Sequence, residues 1–189
     1  MKQIKLALIA ATSLLSLAVN AQIVGVNAFL KGDHVEVGLN KCGVYGTTAA
    51  PPAGYHPNVF GLGFVADSDL DGWDVGSPYD YCGDYFVPGT PEEGWQVQIG
   101  GSVYTNASNG CSPSEIPGSI TTYEFSGGMY TAIWEGTIAS EDISITQTTT
   151  LLIDKTYFVT RVLICNDGPT DLVDVYYNRN VDPDNEAAF

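Results

Sequence analysis

The residues with the clearest chemical potential sit side by side at Asp67, Ser68, Asp69, Leu70, Asp71 and Gly72. Carboxylates at alternate positions converge on one point when the chain turns, and the glycine permits a tight turn. Calcium suits such a set, because a hard cation takes six to eight oxygens from carboxylates, carbonyls and water. In an EF-hand-like loop the next ligand is a main-chain carbonyl, here that of Trp73, but Pro78 stands where the bidentate Glu belongs. The loop is therefore not an EF-hand, and Asp74, Asp80 or Asp84 must supply the missing oxygens by a fold-back of the chain. The expected calcium ligands are Asp67, Asp69, Asp71, Trp73 and Asp74. From Asp67 to Asp84 there are six acids and no base, a cluster that repels itself without a counterion. The competing reading is a solvated acidic turn whose Asp side chains cap their own backbone.

Aromatic residues crowd the same stretch. Trp73, Tyr79, Tyr81, Tyr85 and Trp95, with Phe86 among them, offer apolar faces beside carboxylates and amides, the combination a sugar-binding surface uses. The alternative is that they anchor loops to a β core. A second acidic group, Asp182, Asp184, Asn185 and Glu186, could complete the first site or form another, but the favoured reading is an ordinary turn with Arg179 as a nearby charge partner. For hydrolysis, any two of the 22 acids could be nominated, but spacing along a β chain does not give the separation in space that a glycosidase needs. His34 and His56 are the only imidazoles, and no Gly-x-Ser-x-Gly nucleophile elbow occurs.

These residues must be positioned by a scaffold, and the composition bounds what it is. The 189 residues include 7 basic and 22 acidic ones, for a net charge of −15, with 44% hydrophobic and only 15% charged residues. That is enough apolar material for one domain with a sizeable core. Nucleic acid is excluded as a partner class, because phosphate binding requires clustered Lys and Arg and here they are scattered. Residues 1–21 run from Lys2 and Lys5 through an apolar stretch, Leu6 to Leu17, to Val19, Asn20 and Ala21, the order of a secretory signal peptide cleaved after Ala21. A dozen apolar residues are too few to span about 30 Å of hydrocarbon. No second long apolar segment follows, so no membrane insertion is expected once the leader is removed.

Export permits disulfides. Cys42, Cys82, Cys111 and Cys165 are an even set, with three pairings open if all are joined. Their wide spacing is not that of a zinc ribbon or a redox motif. Cys165, inside an apolar run, also fits a simply buried thiol.

From about Gly32 onward, short apolar runs alternate with Gly, Pro, Asn and Asp, and no stretch holds a 3.6-residue period for three turns. Strands are expected around Val35–Leu39, Val59–Val65 and Trp95–Ile99, and a hairpin joins Tyr123 and Phe125 to Met129–Ile138 through Gly127 and Gly128. Ile143–Ile153, Thr156–Cys165 and Leu172–Asn180 are rich in β-branched and aromatic residues, and their short connections predict a three-stranded antiparallel meander. Between Gly43 and Gly94 lie 6 of the 10 prolines and 9 of the 21 aromatics, which read as long ordered loops and not as a linker.

Two stretches, Gly83-Asp84-Tyr85-Phe86-Val87-Pro88-Gly89-Thr90-Pro91-Glu92-Glu93-Gly94-Trp95 and Tyr176-Tyr177-Asn178-Arg179-Asn180-Val181-Asp182-Pro183-Asp184-Asn185, resemble the N-terminal β-rich region of large secreted surface proteins of Bacteroidota-type bacteria. Such proteins often carry a C-terminal type IX secretion sorting domain. The resemblance implies a cell-surface or extracellular setting and a β-sandwich, and it transfers no activity and no catalytic residue. No sorting domain follows Phe189, so the chain is expected either to be C-terminally truncated or to be released without that tether. The expectation is thus a signal peptide (1–21) followed by a single all-β antiparallel β-sandwich domain (22–189) with a long loop-rich insertion. Its expected role is that of a secreted, calcium-stabilised adhesion-type module meeting a glycan or a surface protein. The alternative is a glycan-cleaving hydrolase using paired carboxylates from the Asp67–Glu93 region.

Overall fold

Short runs of β-branched and aromatic residues, broken by glycines and turn formers, become eleven antiparallel strands among the described residues of a computed structural model. The structure describes residues 22–55, 61–66, 86, 93–107 and 111–182. The strands are β1 (Gln22–Val24), β2 (Asn27–Lys31), β3 (Val35–Leu39), β4 (Phe64–Ala66), β5 (Glu93–Ile99), β6 (Ser102–Ala107), β7 (Gly118–Ser126), β8 (Met129–Ile138), β9 (Ile143–Leu152), β10 (Val159–Asn166) and β11 (Tyr176–Val181). They form three sheets, in the orders β1-β2-β3-β4, β10-β9-β8-β7 and β11-β5-β6.

The second sheet is one complete layer, and the other two share the opposite layer. Alternation along β8 and β9 sends every second side chain inward. At one end, Tyr130, Ala132 and Leu151 pack against Ala28, Leu30, Val35, Val37 and Leu39 of the first sheet. At the other, Trp134, Ile138, Ile143 and Ile145 pack against Trp95, Val97 and Ile99 of the third. The chain is therefore an all-β, sandwich-like fold with one divided layer. The first sheet is also covered from outside, where Phe29, Leu62 and Val65 cluster with Tyr55. Coverage on both faces explains why β3 is buried along its whole length. It also explains why the buried Glu36 on β3 needs its cross-strand partner Lys31, at 2.9 Å.

The expected strands at Val35–Leu39 and Trp95–Ile99 are present, the latter beginning at Glu93, and the Gly127–Gly128 hairpin joins β7 to β8. β1 and β2 precede the point where strands were expected to begin. The meander holds for β9 and β10 but fails at its third member. β11 leaves the second sheet and pairs with β5 from Tyr176↔Gln98 to Val181↔Glu93. The segment Asp167–Val175 is long enough to cross between layers, with half-buried Leu172 packed against the core and the Val173 carbonyl accepting from Gly100 N–H at 3.0 Å. Tyr177 and Arg179 thereby point inward, toward Trp95 and Glu93. Within the expected loop region, the described residues Val44, Tyr45, Leu62, Val65 and Phe86 are buried, so these parts are packed into the core. Residues 56–60, including His56 and Val59, lie outside the described residues.

Trp134 requires two glycines. Gly118 and Gly136 are paired across β7 and β8, and the indole lies against both. A Cβ at Gly136 would stand 2.2 Å from Trp134 Cη2, and one at Gly118 would stand 2.2 Å from Cζ2. Because the obstacle is a rigid ring at the centre of a cluster, Gly136→Ala is expected to destabilise the fold by about 1–3 kcal/mol. Urea denaturation measures this, and an unchanged midpoint would show that the ring moves aside freely.

Candidate functional site

The seam where the divided layer meets the complete one is marked on β9. Its inward residues read Ile143, Ile145, Gln147, Thr149, Leu151, so a polar pair interrupts an apolar row. Above this pair, Arg179 of β11 and Glu93 of β5 lie on the same face as diagonal neighbours, Arg179 standing opposite Trp95 and Glu93 opposite Val181. Arg179 Nε donates to Glu93 Oε1 at 2.6 Å and Nη2 donates to Oε2 at 3.2 Å, a two-pronged contact. Arg179 Nη1 donates to Gln147 Oε1 at 2.8 Å, and Nη2 also reaches the Gly43 carbonyl at 3.3 Å. The guanidinium lies 3.8 Å from the centre of the Tyr45 ring, a cation–π contact. Glu93 Oε2 accepts from Tyr45 N–H at 2.6 Å. The Tyr45 hydroxyl meets Thr160 Oγ1 at 2.6 Å, which meets Thr149 Oγ1 at 2.7 Å.

The cluster is sealed. The Glu93 side chain is 1% exposed and that of Arg179 17%. Burial lifts the Glu93 carboxyl above its ordinary pKa, opposed by the Arg179 charge and by hydrogen bonds from Arg179 and the Tyr45 backbone. Burial likewise lifts the Tyr45 hydroxyl against the pull of Arg179. For Arg179 itself, burial works against the charge but is outweighed by Glu93, Tyr45 and Tyr177, so the guanidinium is held charged.

The segment between β3 and β4 is the element this cluster grips. Asn40 turns it, accepting from Cys42 N–H at 2.8 Å and donating to the Gly46 carbonyl at 2.8 Å. Gly43, at φ +68°, lies against the Trp134 ring, where a side chain would collide. Trp134 Nε1 donates to the Lys41 carbonyl at 2.7 Å, and Trp95 Nε1 donates to that of Cys42 at 3.1 Å. Asn106 Nδ2 donates to the Cys42 carbonyl as well, at 3.0 Å. A disulfide joins Cys42 to Cys111.

Of the residues expected to act, Asp67, Asp69, Asp71, Trp73, Asp74, Tyr79, Tyr81, Cys82 and Tyr85 lie outside the described residues. Trp95 does not belong to a ligand surface. It is fully buried, edge-on to Trp134 at 5.3 Å between ring centres, because its indole N–H is needed by the Cys42 carbonyl. Cys165 is a free, half-buried thiol on β10 and not part of a disulfide. Among the described residues, the acid that Arg179 pairs with is Glu93. Sequence reading overlooked Glu93 as a partner, since the two are 86 positions apart. The available signal was an Arg at an inward-alternating position of an apolar strand, which demands a buried counter-charge.

Among the described residues, no group of three or more His, Cys, Asp or Glu is placed to hold a metal ion. Three surface depressions lined by described residues hold no paired carboxylates. One of about 560 Å³ has Asp171 as its only acid, one of about 360 Å³ has Glu135, and one of about 210 Å³ has none. No helix among the described residues is long and apolar enough to cross a membrane. No protein-family model, curated protein or solved structure matches the chain.

Removing one partner of a buried pair strands the other charge, whereas replacing both with apolar groups of similar size need not destabilise. Glu93→Leu is expected to cost about 3–5 kcal/mol, and Glu93→Leu combined with Arg179→Met to recover most of that loss. Equilibrium denaturation of the single and double variants checks the cycle, and additive losses would show that the two side chains act independently.

Proposed function

We propose that the chain is a non-catalytic, exported surface or adhesion module whose Asp67–Asp74 segment is held by structural calcium. The observation that carries the non-catalytic reading is the sealed Glu93–Arg179 cluster. In the most elaborate arrangement of charged groups among the described residues, Glu93 is closed to solvent and both its oxygens are engaged by Arg179 and Tyr45 N–H. A group held this way links strands and does not exchange protons with a substrate. It also removes Glu93 from the carboxylates on which a glycan-cleaving hydrolase could draw.

The calcium reading is supported by the sequence Asp67-Ser68-Asp69-Leu70-Asp71-Gly72, in a stretch with six acids and no base within a chain of net charge −15. Trp73, Tyr79, Tyr81 and Tyr85 beside those acids favour a carbohydrate as the ligand class. Affinity for the ion is expected in the range of extracellular modules, on the order of 10⁻⁴ to 10⁻³ M.

A bound ion that ignores the unfolded chain raises the melting temperature. At about 5 mM calcium, relative to chelator, the midpoint is expected to rise by about 2–9 °C. Asp69→Asn together with Asp71→Asn should abolish the rise. A melt indifferent to calcium would remove the ion from the reading.

A further inference from the structure

Each sheet in this fold ends in two edge strands, and most are blunted. β1 and β4 are three residues each, and Phe64 of β4 is additionally bridged to Phe86. β7 follows Pro117 and breaks register between Ile120 and Thr122. The outer side of β6 is occupied by the segment Pro113–Glu115, through Ala107 N–H to the Pro113 carbonyl and Glu115 N–H to the Thr105 carbonyl, both 3.0 Å. β11 has six residues and exposes Tyr176, Asn178 and Asn180 on its outward face.

β10 has none of these protections. Its eight residues stay in unbroken register with β9 from Val159↔Thr150 to Asn166↔Ile143. It contains no proline, glycine or bulge, and Arg161 is its one charge. Val159 and Leu163 point outward and are 51% and 46% exposed, and Val162 and Ile164 on the inner side are only partly covered by the core. No described segment pairs with its free side. A long, regular, apolar edge of this kind is a template for another strand, because its outward N–H and C=O groups have no partner among the described residues.

We propose that the β10 edge pairs antiparallel with β10 of a second copy of this chain about a two-fold axis, joining two four-stranded sheets into one of eight strands. The strand is self-complementary in the way such an axis requires. Centring the axis on Val162 sets Val162 against Val162, Thr160 against Ile164, Arg161 against Leu163 and Val159 against Cys165. Every inward residue then meets an inward one and every outward residue an outward one, as the pleat demands. Charge favours the same place. Between Val159 and Cys165 there is one Arg and no acid in a chain of net charge −15, so two copies approach there with little repulsion.

The test is molar mass by light scattering on the Cys165→Ser chain, so that no thiol cross-link joins copies, together with hydrogen exchange. Twice the chain mass is expected at ~100 µM, with β10 amides exchanging about tenfold more slowly there than at ~1 µM. Val159→Lys with Leu163→Lys places like charges along the shared edge and, both sites being exposed, should give single-chain mass at ~100 µM with the melt that the Cys165→Ser chain shows at ~1 µM. Single-chain mass at ~100 µM without the lysines, or a dimer that the lysines leave intact, overturns the proposal. Should the lysine variant unfold, hydrogen exchange of the Cys165→Ser chain decides alone: β10 protection independent of concentration rejects the pairing.

Discussion

The fold depends on the contact between Arg179 and Glu93. A guanidinium carries its donors in a rigid plane, and here all three nitrogens of Arg179 donate. One edge grips the carboxylate of β5, a third nitrogen reaches Gln147 on β9, and the Gly43 carbonyl and the Tyr45 ring complete the surroundings. Lysine could not replace it, since a point charge on a flexible stem has neither the fork nor the flat face. The gain is chiefly in specificity, because desolvating two charges cancels much of their attraction. Arg179 stands opposite Trp95 and reaches Glu93 diagonally, and a slip of one residue would turn the guanidinium to the outer face and leave the carboxylate buried without its partner.

The divided layer explains why a polar knot belongs at this position. Two small sheets lie side by side on one large one, and neither alone covers the inward face of β8 and β9. Where they meet, backbone from the connecting segment at Asn40–Thr47 must enter the interior, and its polar groups need partners there. The indoles of Trp95 and Trp134, the Asn106 amide and Arg179 supply donors to the carbonyls of that segment, while Glu93 accepts its Tyr45 N–H. Gln147 and Thr149 provide the matching polar floor on β9, surrounded by isoleucine and leucine. The junction is polar because buried backbone must be satisfied, and it is aromatic because indole combines bulk with a single donor.

Much of the scaffold was legible from alternation and turn chemistry. Val35, Val37 and Leu39, or Trp95, Val97 and Ile99, announce strands by period two, and Gly127–Gly128 announces a hairpin. The partner of β11 was not legible. Sequence proximity favours pairing with β10, and only the burial of Tyr177 and Arg179 against Trp95 and Glu93 selects β5. Trp95 shows the same limit from the other side: beside acidic loops its ring reads as a ligand platform, yet its strand turns it into the core. The acidic segment was legible as a run of carboxylates, but convergence of their oxygens is a property of three-dimensional placement that spacing alone does not determine.

The cystine between Cys42 and Cys111 is set 69 positions apart along the chain and encloses all six acids of the Asp67–Asp84 stretch. A protease cut anywhere within that circuit would leave two polypeptide pieces still covalently tied, with β3 on one piece and β7 to β11 on the other held by the same crosslink. Backbone cleavage in the acidic stretch, as elsewhere between the two half-cystines, would leave the pieces joined until reduction, so that nicking and dissociation are separate events there.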